Sequence, residues 1–132
     1  MFEYDDGGRE AAGFKGTTGD CATRAIAIAT GRPYREVYDS INAIGKAHGS
    51  NARKGVYRET MDAYFASIGW RWVPTMKVGA GCTTHLRAEE LPSGPIVARC
   101  SRHYVAVIDG VVRDTFDSSR NGTRCVYGYW AP

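Results

Sequence analysis

The chain has 132 residues, 43% of them hydrophobic and 23% charged, which is enough apolar material for one real core and too little length for two domains. Its formal net charge is +3, from 17 Lys and Arg against 14 Asp and Glu, with the arginines scattered from Arg9 to Arg124. That balance argues against a dedicated nucleic-acid surface. No apolar run approaches the ~18 residues of a membrane span, and the opening MFEYDDGGREAAG is acidic and glycine-rich, unlike a signal peptide. The expectation is a soluble, cytoplasmic protein that engages neither nucleic acid nor membrane.

In chain order, residues 1–16 are glycine-broken and poor in aliphatic side chains, and read as a flexible or draped arm on a single domain spanning 1–132. A first helix is predicted from Cys21 to Thr30, with Gly19-Asp20 as its turn and a candidate cap. Arg24 is its only charged residue, so it should be covered on most sides. Gly31 stops it, and Pro33 opens a second helix to Ile44. Residues 45–55, GKAHGSNARKG, read as an exposed loop. A third helix follows from Tyr57 to Ile68, with Met61, Tyr64, Phe65 and Ile68 inward and Gly69 ending it.

The second half changes period. Strands are predicted at Trp70–Thr75, Pro95–Cys100, His103–Ile108, Val111–Phe116 and Cys125–Trp130, with one or two helical turns within 86–94. Helices first and an antiparallel sheet second make an α+β domain. Cys21, Cys82, Cys100 and Cys125 are irregularly spaced and lack a CxxC pair. Two disulfides among them would allow three pairings, none favoured, and free thiols are expected in a reducing cytosol.

Asp109-Gly110, between HYVAVI and VVRDTF, is the strongest hairpin signal in the chain. A two-residue type I′ turn there sets Ile108 opposite Val111, Val107 opposite Val112, Val105 opposite Asp114 and His103 opposite Phe116. His103 and Asp114 then share a face on a diagonal about 7 Å apart, where a carboxylate can orient an imidazole. A cysteine in the first turn of a helix meets free N–H groups and the helix dipole, which favour a thiolate. Cys21, His103 and Asp114 thus supply a nucleophile, a base and an orienting acid. His48 reads as exposed and unpartnered. His85 lies near Cys82 without further ligands around it.

The order of Asp20-Cys21 opening a helix, His103 to Val107 in a strand and Asp114 in the next strand resembles the papain-like cysteine peptidase superfamily. The small bacterial and phage relatives of bacteriocin-processing peptidases are the nearest resemblance. GDCATRAIAIATG is also similar to the nucleophile segment of ovarian-tumour-type deubiquitinases. The resemblance implies a papain-like fold, N-terminal helices on a C-terminal antiparallel sheet, with no cofactor and no metal. It further implies a cysteine hydrolase that cleaves a peptide or isopeptide bond through a thioester, with Cys21, His103 and Asp114 as its triad.

Where that family carries a Gln about six residues before the cysteine, this chain has Lys15. The oxyanion would then rest on the Cys21 N–H and on Thr18 or Lys15. A second reading follows from that departure, a catalytically silent scaffold that binds a protein of phage or host. A zinc module of Cys82, His85, Cys100 and Cys125 is a distant third, since the spacing lacks the usual knuckles.

Overall fold

The computed structural model describes residues 1–15, 19–53, 55–77 and 79–132. Three helices come first, α1 (Cys21–Thr30), α2 (Tyr34–Gly45) and α3 (Arg58–Ser67), preceded by a short strand β1 (Phe2–Tyr4). Strands β2 (Arg71–Pro74), β3 (Pro95–Cys100), β4 (His103–Ile108), β5 (Val111–Asp114) and β6 (Gly128–Ala131) follow, with one 3₁₀ turn at Ala88–Glu90. The fold is α+β.

Small side chains let α1 lie close on the sheet: Ala22, Ala25, Ile26 and Ala29 are buried, and its main partner is β4. Gly31 closes the helix in the left-handed conformation, donating its N–H to the Ala27 carbonyl at 3.0 Å. Helices α2 and α3 complete this layer, and Val37, Ile41, Met61, Phe65 and Trp130 form its centre. The opposite face of the sheet carries a second apolar cluster, with Ile96, Val105, Val107 and Val112 covered by Leu86 and Val126. Both faces are therefore buried, which accounts for the near-continuous apolar runs of β3 and β4.

All six strands form one sheet in the order β1-β5-β4-β3-β6-β2. It is mixed rather than antiparallel, because β1 runs parallel to β5 while every other pairing is antiparallel. The expected N-terminal arm is thus in part an edge strand. Arg113 on β5 draws it in, facing Glu3 at 3.5 Å and Asp5 at 3.8 Å, and the Asp5 N–H donates to the Asp114 carbonyl at 2.9 Å. Three residues are too few to show a strand period in sequence.

The hairpin register is the expected one, with Ile108 paired to Val111 and Val107 to Val112. Asp109 (φ 51°) and Gly110 (φ 78°) make the turn, as type I′ requires. Gly110 is needed twice over, since a Cβ there would also fall 2.6 Å from the Ala88 Cβ. β5 ends at Asp114 rather than Phe116, because the Asp114 carboxylate takes the Thr115 N–H at 2.7 Å and turns the chain out of the ladder.

Segment 45–55 is not simply an exposed loop. Ala52 is fully buried, its carbonyl accepting from Thr23 of α1 at 2.8 Å. His48 is exposed but partnered, its Nδ1 3.0 Å from Thr60 Oγ1.

The cysteines differ from expectation. Cys82 and Cys125 are disulfide-bonded, leaving Cys21 and Cys100 free. Cross-chain hydrogen bonds align the two segments, Val126 N–H to Thr84 O at 2.8 Å and Leu86 N–H to Arg124 O at 2.9 Å. A spacing of 43 residues carries no sign of this in sequence. The last strand correspondingly starts at Gly128, and Cys125 makes only an isolated bridge to His85. Among the described residues no helix is long and apolar enough to cross a membrane, and no group of three ligands could hold a metal.

A crosslink closing a loop of this length is expected to add about 2–4 kcal/mol. Cys82→Ser should lower the unfolding free energy of the oxidised protein by that amount in urea. A thiol count on denatured, unreduced protein should find two groups, rising to four after reduction.

Candidate active site

The DG turn and the start of α1 bring Cys21, His103 and Asp114 together. His103 heads β4 and Asp114 ends β5, so the hairpin register sets one beside the other. His103 Nε2–H donates to Asp114 Oδ2 at 2.6 Å, and both side chains are buried. Phe116, opposite His103 in the extended register, packs on the imidazole with ring centroids 5.5 Å apart. With Nε2 committed to the carboxylate, Nδ1 is the nitrogen left for proton transfer.

Cys21 is the first residue of α1 and is partly exposed. Its thiol lies within electrostatic reach of the His103 ring, the Tyr104 backbone N–H and the Arg24 guanidinium. Burial alone would push the thiol up. His103, the Tyr104 N–H and the Arg24 guanidinium outweigh it and hold Cys21 below the ordinary thiol value. Burial likewise favours a neutral His103, but Asp114 and Cys21 raise its pKa to about 9. Asp114 is opposed by burial too, and is held below its ordinary value by His103, the Thr115 N–H and the Ser118 hydroxyl. Each of the three groups thus favours the charged form of its neighbour.

Cys100 provides a contrast on the facing strand, where it pairs with His103 across the β3–β4 hairpin. Burial pushes its thiol up to about 11. Proximity to the histidine in the sheet is therefore not what activates a thiol here.

Two residues to which the sequence reading gave no part in the chemistry, Asp20 and Arg24, complete the site. Asp20 is buried and gives the helix no side-chain cap. Its carboxylate turns inward to Arg24, to Arg9 Nε at 3.0 Å and to the Tyr34 hydroxyl at 2.7 Å. Arg24, one turn on, also reaches Asp114 at 3.4 Å. A single guanidinium thus joins the residue before Cys21 to the acid that orients His103. The signal was present in sequence, since Arg24 is the one charge in an otherwise apolar helix.

Cys21, His103 and Tyr104 line a cleft of about 850 Å³ whose walls are the start of α3 and the β3–β4 turn. Lys15 does not line it. That residue borders a separate hollow beside Asp20, Arg24 and Phe116, and its carbonyl accepts from Arg9 and Arg53. Thr18, the other residue expected as an oxyanion donor, lies outside the described residues. The Cys21 N–H, in the free first turn of α1, is the donor that the described residues offer. His85 pairs with Glu90 at 3.1 Å, and the suggested zinc set is ruled out by the Cys82–Cys125 bond and by the burial of Cys100. Comparison with protein-family models, curated proteins and solved structures finds no match to this chain.

Arg24 compensates two buried carboxylates, so Arg24→Met should cost on the order of 3–5 kcal/mol. Chemical denaturation at neutral pH checks this, and the loss should exceed that of the exposed Arg35→Met on α2.

Proposed function

We propose that this chain is a cysteine hydrolase of papain-like arrangement, acting on a peptide or isopeptide bond. One observation carries the reading: of the two free cysteines, Cys21 is drawn below the ordinary thiol value by a histidine that is itself held by a buried carboxylate, while Cys100 is driven up. A buried thiol kept for packing alone needs no such partners.

In the proposed reaction the Cys21 thiolate attacks the carbonyl carbon, forming the C–S bond and moving the π electrons onto oxygen. The Cys21 N–H stabilises that oxyanion. Collapse of the tetrahedral species breaks the C–N bond, and the His103 imidazolium gives its proton to the departing amine. Water then attacks the thioester while His103 takes its proton. The C–S bond breaks, the acid is released and the thiolate–imidazolium pair is restored. Asp114 holds the ring through Nε2 throughout, and Arg24 holds Asp114. The partner is a protein or peptide substrate.

A second reading, a silent scaffold that binds a host or phage protein, is favoured by Lys15 standing where papain-like peptidases carry the Gln that helps hold the oxyanion.

Alkylation by uncharged iodoacetamide distinguishes the two. Cys21 should react with a half-rise below the ~8.5 of an unperturbed thiol. His103→Ala should move the half-rise upward, because burial then acts with much less opposition. Equal labelling of Cys21 and Cys100, unchanged by His103→Ala, would sink the enzyme reading. The sign for turnover follows from the raised histidine: imidazolium is present at neutral pH and is lost as pH passes about 9. Hydrolysis of an amide substrate should therefore decline through that range.

A further inference from the structure

The cleft that holds Cys21 is predominantly cationic. Among the described residues Arg58, Arg99 and Arg102 line it against a single carboxylate, Glu59. It runs on into a smaller hollow of about 320 Å³, with Arg58, Arg99 and Tyr127 common to both. The second hollow adds Lys77 at its edge and an apolar wall of Trp72, Pro74 and Met76. Chain-wide net charge is only +3, so this bias is a property of the cleft.

The cations differ in how they are held. Arg58 is fixed from two sides, its guanidinium 3.9 Å above the Trp72 ring and 3.1 Å from Asp62. Arg99 sits beside the Tyr127 ring at 5.7 Å. Among the described residues no ion pair engages Arg99, Arg102 or Lys77. The hollow on the Asp20 side is different, since it mixes Asp6, Glu10 and Asp20 with Arg9, Lys15 and Arg24. Cations without a carboxylate partner, gathered on one continuous cleft, are suited to carboxylates brought by a ligand. Met76, 40% exposed, leaves apolar surface uncovered at the far end.

We infer that the substrate is an acidic peptide whose carboxylates pair with Arg99, Arg102 and Lys77, and whose apolar side chain rests on Trp72, Pro74 and Met76. This rests on the hydrolase reading for its choice of a peptide over other anions, because acyl transfer at Cys21 needs an amide in the cleft. A chain lying across Cys21 and reaching the apolar hollow runs past Arg58 and Arg99, which line both. An acidic residue between the scissile amide and an apolar residue therefore meets a guanidinium on its way.

The test is a binding measurement that requires no turnover. Short fluorescein-labelled peptides alternating Leu with Glu, Gln or Lys are titrated with Cys21→Ala protein at low and at raised salt, alongside oligo-dT of matched charge. The Glu peptide should bind about tenfold tighter than the Gln peptide, the advantage shrinking with salt. Arg99→Glu and Arg102→Glu should each remove about tenfold, while Arg35→Glu on α2 leaves binding unchanged. Circular dichroism guards against misfolded variants, and Lys77→Glu, at an exposed position, offers a further one. Equal affinity for the Glu and Gln peptides overturns the inference, as does oligo-dT binding as tightly as the Glu peptide. A reactive Cys21 with no acidic preference would overturn this inference alone. An inert Cys21 with that preference intact would overturn the hydrolase reading alone.

Discussion

The Arg24 guanidinium is the joint of the molecule. It lies between two buried carboxylates, Asp20 at the mouth of α1 and Asp114 at the end of β5. Neither carboxylate could stay buried and charged without it and its other donors, because an uncompensated ion in the interior costs several kcal/mol. Arg9 and Tyr34 complete Asp20, while His103, Ser118 and the Thr115 N–H complete Asp114. Each carboxylate is thereby saturated with donors. The consequence is positional: Cys21 follows Asp20 directly, so the position of the helix start relative to the sheet and that of the thiol relative to His103 are set together.

The electrostatics of the thiol depend on this placement more than on the residue itself. Cys21 and Cys100 are both free, and both stand close to His103 in the fold. One is within reach of the imidazole and of a backbone N–H, and the other belongs to the apolar cluster with Val105 and Val107. Burial raises both, and only Cys21 has donors that reverse it. The β4–β5 turn matters to the same end. Its two left-handed residues hold the register, and a slip of one residue would turn Asp114 to the other face of the sheet.

Much of this was legible because it is local. The Asp109-Gly110 turn names its own type, and alternation on either side gives the register, so β4 and β5 and the His103–Asp114 pair follow from a few residues. The three helices likewise follow from apolar spacing and from Gly31 and Pro33. What could not be read depends on partners distant in sequence. β1 is too short to show a period and is recruited by Arg113. The Cys82–Cys125 bond needs two loops to be aligned first. Asp20 looked like a helix cap, but buried arginine and tyrosine partners draw its carboxylate inward. Lys15 was assigned by counting back from Cys21, and in the fold it borders the hollow beside Asp20, Arg24 and Phe116.

The central claim is that Cys21, His103 and Asp114 share charge as a thiolate, an imidazolium and a carboxylate. Nitrogen-15 NMR of the His103 ring as a function of pH, in the native chain and in Cys21→Ser, reads this directly. The expected result is an imidazolium that persists through neutral pH and titrates at about 9 in the native chain, falling in Cys21→Ser because the thiolate no longer supports it. A ring that titrates near the ordinary histidine value of about 6.5, unchanged by the substitution, would contradict it.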